Sequence, residues 1–387
     1  MSASSRNIDL ALSEEQLLLQ QSAQGFFADH GAPAKVRASL AAGAAPDTRL
    51  WRSIAELGWT AIPVPEAQGG LGLGLVELEL LQEAAGASLL PTFLLPVAGQ
   101  VIPAILRLAS PPQQAALLAP LVAGVETATL ALPAAADTAL LRRSARGDFT
   151  LDGSVASVAY GDVADTLYVA ARTEGAAGRS LVRVARQAPG VEVRREEGID
   201  LLRPQATLVF SGAKIADDAI LGAAGGADGA LETVADEGAV LIAAECVGGA
   251  QRCLDMAVAY AKERVQFGRP IAGYQAIKHL LSDMAVRLEM ARSGVRMAVH
   301  LVTGSREERV EAAAIAKSYA VEACYRVACD CIQTHGGAGF TWDNDSHLIL
   351  RRCRTALNRF GTTAGHRRRV ADLLWPVSAT TVAGAAE

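Results

Sequence analysis

Aromatic residues make up only 5% of this 387-residue chain, although 51% of it is hydrophobic. Its core must therefore be built mainly from Ala, Leu and Val, and Ala and Leu are strong helix formers. Basic residues are not in excess. The net charge is −5 and the sequence pI about 5.8, which argues against a nucleic-acid-binding domain. Cysteines are few, and Cys246, Cys253, Cys324, Cys329, Cys331 and Cys353 form no C-x-x-C pair. That disfavours a disulfide framework or a zinc site, and reduced, buried thiols in a cytoplasmic protein are expected. No second His or carboxylate stands at metal-ligand spacing from His335, so no metal is expected either. A long apolar run free of breakers is also missing. The longest uncharged stretch, 84–106, carries Pro91, Pro96 and Pro103; it reads as a buried helix–loop–helix and not as a membrane span. The first nine residues are polar and hold no signal-peptide core.

What is present divides into three regions: helical over 1–126, strand-rich over 127–226 and helical again over 227–387. Ser13-Glu14-Glu15-Gln16 before a leucine run is an N-cap with an acidic first turn. Trp51 to Gly58 ends a helix on glycine, 63–72 is a Pro/Gly loop, and 76–89 is helical. Runs at 149–151, 166–170, 180–184 and 206–210 are rich in strand formers, and Asp152-Gly153 reads as a turn between strands. Ile277, Leu280, Leu281, Met284, Leu288, Val295 and Val299 recur at helical spacing, and 311–332 is another long helix. The tail, 377–387, is small and polar, and is expected to be loose. The fold class is α+β: a β domain between two helical domains.

Two stretches carry specific chemistry. In the first, a helix ends near Gln266, Phe267-Gly268-Arg269-Pro270 breaks it, and a second amphipathic helix follows. Arg264, Phe267 and Gln275 are thereby held at a rigid corner. That corner is a rigid place to present an Arg, a Phe and a Gln to a ligand. The second stretch is Gln333-Thr334-His335-Gly336-Gly337-Ala338-Gly339-Phe340-Thr341. Its glycines let a backbone approach a phosphate and aim N–H groups at it. His335 is expected to fix this turn, and Asp343 and Asp345 read as solvated loop acids. The arginine-dense segment from Arg351 to Arg369 either attracts ligand phosphates or pairs along helix faces at a subunit interface.

The two stretches together resemble the acyl-CoA dehydrogenase family, flavoenzymes that desaturate acyl-CoA thioesters between Cα and Cβ. The loop Pro65-Glu66 followed by Gly69-Gly70-Leu71-Gly72 is a third match. The resemblance implies an N-terminal helical domain forming one wall of the acyl pocket, a small β-barrel or sandwich domain, and a C-terminal four-helix bundle. It implies FAD as cofactor, an acyl-CoA substrate, and electron-transfer flavoprotein or a similar acceptor. Arg264, Phe267 and Gln275, with Gln333, Thr334, Gly336 and Gly337, would contact FAD across a subunit boundary, in a homo- or hetero-tetramer built as a dimer of dimers.

The chain departs from that family at the proton acceptor. The reaction needs a carboxylate that removes the α-proton, and a buried Glu with a raised pKa suits the task. In most of the family this Glu precedes a Gly-Thr near the C-terminus; here Phe360 precedes Gly361-Thr362. The alternative family position falls on Gly238, beside Glu237. Glu245 lies further along the same helix among apolar neighbours. Glu237 and Glu245 are the two candidate bases, each weighed against an ordinary helix-start acid or a structural ion pair. Polar flavin contacts are replaced as well: the segment 131–137 is mostly alanine, Ser157 stands for a tryptophan and Ala159 for a threonine. Three readings follow. One is an FAD-dependent acyl-CoA dehydrogenase for a bulky, branched or steroid side-chain thioester. Another is a catalytically silent subunit that lends FAD contacts to a sister chain. A flavin oxidase or monooxygenase on the same scaffold is the third.

Overall fold

The computed structural model describes residues 9–134, 136–144 and 147–375; the tail beyond Trp375 and Ala135 of the alanine-rich segment lie outside them. The first region folds as α1 (Glu14–His30), α2 (Pro33–Ala41), α3 (Thr48–Glu56) and α4 (Leu75–Ser88). A wide-wound π turn at Leu94–Val101 then runs into α5 (Ile102–Leu108), with α6 (Pro111–Val122) after it. Ser13 caps α1 with a reciprocal capping box to Gln16, as its position before the leucine run predicts. The proline-bearing stretch is a buried pair of helical pieces joined by a turn, with Leu94, Val97, Val101 and Ile102 fully buried.

Eight strands form one sheet: β1 (Ala128–Ala131), β2 (Leu140–Arg143), β3 (Phe149–Ala159), β4 (Thr166–Thr173), β5 (Arg179–Ala185), β6 (Val191–Glu196), β7 (Gln205–Ile215) and β8 (Ile220–Leu221). Their order is β6-β7-β3-β2-β4-β5-β8, with β1 also alongside β4. Pairing is antiparallel except where β1 and β2 meet β4. Leu151, Leu167, Val169, Val182, Leu208 and Phe210 fill its own core. Asp152-Gly153 is not a turn. It lies inside β3, where the pairing with β7 slips between Leu151 and Gly153 and Gly153 adopts φ +99°. The same dipeptide serves a β-bulge as readily as a hairpin, because both need positive φ.

The third region comprises α7 (Asp228–Glu263), a two-residue ladder β9 (Val265–Gln266) with β10 (Arg269–Pro270), α8 (Gln275–Leu301), α9 (Arg306–His335), α10 (Ser346–Ala356) and α11 (Thr363–Leu374). Helices α7 and α9 run parallel: Arg309 reaches Asp236 near their starts, and Tyr260 stacks on His335 near their ends. Helix α8 returns antiparallel, Arg287 binding Asp330 and Arg292 binding Gln251. Helix α4 crosses α7 at a glycine contact. A Cβ on Gly248 would lie 1.7 Å from the Glu83 carbonyl oxygen, and one on Gly86 would lie 1.9 Å from that of Glu245. Among the described residues no helix is long and apolar enough to cross a membrane.

Candidate functional site

Helix α7 stops at Glu263, three residues earlier than the sequence suggests, and Arg264 caps it by donating its N–H to the Tyr260 carbonyl at 2.8 Å. The reason is the turn that follows. Phe267 (φ +53°) and Gly268 (φ +80°) both take the left-handed conformation, the pattern of a two-residue hairpin turn. That turn pairs Val265 and Gln266 with Pro270 and Arg269. Holding a phenylalanine there costs about 1–2 kcal/mol, yet its side chain is 92% exposed and meets the Tyr274 ring edge-on with centres 6.4 Å apart. The corner itself is firm: the Tyr274 hydroxyl donates to the Gln266 carbonyl at 2.9 Å, and the Arg269 guanidinium lies 4.1 Å from the Tyr274 ring centre. Arg264 and Gln275 are exposed, and no carboxylate of the described residues pairs with Arg264.

The second bend lies at the same end of the bundle. His335 closes α9, its Nδ1–H donating to the Cys331 carbonyl at 2.8 Å while its ring stacks on Tyr260 with centres 4.4 Å apart. The stack joins the last turn of α7 to the last residue of α9, so the arginine-bearing and glycine-rich bends are neighbours. His335 thus fixes the turn. Gly336 takes φ +58°, and no atom lies within 4 Å of a Cβ built on Gly336 or Gly337. Gln333 is exposed; Thr334 is buried and donates its hydroxyl to the Asp330 carbonyl at 2.8 Å, which leaves only its backbone for a ligand. An unpaired guanidinium, an exposed ring and a Gly-Gly turn with open space on its outer side suit an anionic dinucleotide bound from outside the protomer, so the residues fit the ADP end of FAD.

The two positions at which the family resemblance leads us to expect the base pack together. Phe360 (φ +56°) lays its ring on Gly238: a Cβ there would meet ring carbons at 2.9 Å. Glu237 is buried beside them, accepting from Arg107 on α5 at 2.5 Å. Burial raises its pKa more than Arg107 lowers it. Glu245 is buried too, but Arg203 grips both of its oxygens and Arg352 donates to one at 3.2 Å. Burial pushes its pKa up, yet the two guanidiniums outweigh that and hold it below the usual carboxylate range. Arg352 also donates to Asp200 at 3.0 Å. Arg203 and Asp200 carry no local signature and were not legible as site residues.

On the sheet side, Ser157 spends its N–H and hydroxyl on Glu196, at 2.9 and 3.0 Å, and Ala131 and Ala159 are buried. Asp345 corrects the expectation of a solvated acid: it is buried between Arg37 and Arg252, at 2.9 and 3.0 Å. Three of the seven arginines in the dense segment pair within the fold, Arg352 with Asp200 and Glu245, Arg367 with Glu322 and Arg369 with Asp236.

Comparison with known proteins gives a family-level match. Residues 13–125 match the family model described as acyl-CoA dehydrogenase, N-terminal domain, and residues 224–374 that of the C-terminal domain. Acyl-CoA dehydrogenase IpdE2 of Mycobacterium tuberculosis is 31% identical over 94% of this chain and 98% of its own. Among solved structures, the ChsE4–ChsE5 complex from Mycobacterium tuberculosis superposes with a TM-score of 0.86 at 27% identity, covering 96% of this chain and 100% of that one. A variant of the Tcur3481–Tcur3483 steroid ACAD gives 0.83 at 29% identity, covering 93% and 98%.

Proposed function

The chain belongs to the acyl-CoA dehydrogenase family, and on that premise we propose that it is one subunit of an FAD-dependent enzyme that desaturates a bulky or branched acyl-CoA thioester between Cα and Cβ. Its role in that assembly is to lend FAD contacts to a sister chain. The observation that carries this reading is the pairing of an open ADP-binding end with a closed base position: Phe267, Gly336 and Gly337 face outward while the Phe360 ring rests on Gly238. Two similar structures, the ChsE4–ChsE5 complex and the Tcur3481–Tcur3483 steroid ACAD, bear paired names, which is in keeping with a heteromer.

FAD, when bound, supplies the acceptor for the hydride leaving Cβ. Arg264 would neutralise and orient the diphosphate, the Phe267 ring would cover apolar ring surface, and Gln275 and Gln333 would read polar edges. The turn at Thr334, Gly336 and Gly337, open on its outer side, would complete the cradle. The outer faces of α8 and α9 expose Val286, Met290, Met297, Ile315 and Tyr319, an apolar strip suited to a dimer of dimers. Electrons would leave to electron-transfer flavoprotein or a similar acceptor, in the cytoplasm.

A second reading rests on Glu237. Its raised pKa and its place beside Gly238 fit a general base within this chain, provided that Arg107 releases it when substrate binds. Glu245 is the weaker candidate, because a carboxylate held ionised by two guanidiniums is a poor proton acceptor.

The test is to express the chain alone and with a sister subunit, then measure bound FAD by absorbance and its bleaching by acyl-CoA. The proposal expects little flavin and no bleaching from the chain alone, and both from the pair. Bleaching by the chain alone that Glu237→Gln abolishes would replace the partner role with the second reading.

A further inference from the structure

Where α7 and the turn after α10 meet the sheet, charge does not balance. Arg203 and Arg352 are almost fully buried and engage two carboxylates, Glu245 and Asp200. Arg359 lies close enough to Arg203, Glu245 and Asp200 to feel their charges, and no carboxylate of the described residues pairs with it. Three guanidiniums stand against two carboxylates. The adjoining acids do not close the gap, because Glu237 is held by Arg107 and Asp236 by Arg309 and Arg369.

Donors are idle as well. Arg203 Nη1, Arg352 Nη2 and Arg359 Nε are buried with no hydrogen-bond partner among the described residues. A buried charge without a counter-charge is costly, and so is a buried donor without an acceptor. Burial first, then the charge of Arg203, brings Arg359 down to about 10. One excess positive charge matches a monoanion better than a phosphate dianion, and a guanidinium fork matches a carboxylate. The place is informative too. Arg359 precedes Phe360, and Tyr160, buried in the same cluster, sets its ring 5.3 Å from that of Phe93 in the N-terminal helical wall. Arg359 is itself partly exposed.

We propose that Arg359, backed by Arg203 and Arg352, receives a carboxylate carried on the acyl group, so that the preferred substrate is the CoA thioester of a dicarboxylic acid. This rests on the second reading above, in which this chain binds the acyl-CoA itself, and adds the acyl group's charge to it.

The experiment titrates the assembled protein, this chain with its sister subunit, with hexanoyl-CoA and adipoyl-CoA in a calorimeter, without turnover. Adipoyl-CoA should bind about tenfold more tightly or better, the worth of one charge-assisted hydrogen bond. Arg359→Gln should bring the ratio to near one, and Arg359→Lys should keep most of it. Equal affinities in wild type, or a preference that survives Arg359→Gln, overturns the carboxylate site and leaves the acyl-CoA reading standing. Binding of neither thioester counts against the acyl-CoA reading itself and removes this inference with it. Free adipate that raises the melting temperature of wild type but not of Arg359→Gln, without any thioester preference, assigns the site to a free carboxylate and overturns the acyl-borne source.

Discussion

Glu245→Gln separates a structural acid from a catalytic one. In the folded chain Glu245 holds Arg203 through both oxygens and Arg352 through one. Glutamine keeps the size and one acceptor, but it deletes the charge and turns an amide N–H₂ toward guanidinium donors. Two buried arginines are left with Asp200 alone. Removing one member of a buried, hydrogen-bonded ion pair typically costs about 3–5 kcal/mol. At roughly 2 °C per kcal/mol for a large domain, the melting temperature should fall by about 6–10 °C at neutral pH. The pH dependence checks the cause. The folded-state pKa of Glu245 lies below its unfolded value of 4.5, so its contribution is complete above that value and is lost as pH falls through the folded pKa. The gap between wild type and variant should therefore be constant at neutral pH and close in acid. Thermal unfolding followed by circular dichroism from pH 3 to 8 measures both. A variant that melts with wild type while losing turnover would refute the argument and return Glu245 to the role of base.

Glu79 makes the opposite prediction. It is buried with both oxygens unpartnered, and burial, then the charge of Glu83, raises its pKa to about 8 despite Arg296 and Arg292. Stability is then lost as pH rises from 4.5 toward 8, so Glu79→Gln should gain on wild type across that range; parallel melting curves would contradict it. Gly248→Ala should destabilise by at least 1–3 kcal/mol, at the order of magnitude seen for overpacking, because its Cβ meets the Glu83 carbonyl oxygen at 1.7 Å. Gly294→Ala, with nothing within 4 Å in mid-α8, should instead stabilise by about 0.5–1 kcal/mol, and urea titration of the two variants reads the contrast. Phe267→Gly should relieve the left-handed strain and leave melting unchanged or slightly higher. It should also lower the flavin retained by the assembled enzyme on gel filtration; full retention would remove Phe267 from the cofactor site.

How much could be read in advance depended on how far apart the partners lie. The Ser13 cap is written within one turn, and so is the helical spacing from Ile277 to Val299; the structure repeats both. Both bends were legible for the same reason, since the turns at Phe267-Gly268 and Gly336, with positive φ, are local features of the residues themselves. The Asp152-Gly153 bulge was misread because its demand is also local and does not say whether the chain reverses. Asp345 was misread because its partners, Arg37 and Arg252, lie 308 and 93 residues away. The two glutamates of α7 take this furthest. Apolar neighbours correctly suggested that Glu245 is buried, and Glu237 is buried as well. Burial alone raises both. What separates them is the number of guanidiniums the fold delivers: Arg107 alone to Glu237, and Arg203 together with Arg352 to Glu245. That number comes from how three regions dock and not from any spacing along the helix. A reading confined to sequence can therefore name the acids a bundle buries, while their protonation, and hence their fitness as bases, is decided by topology.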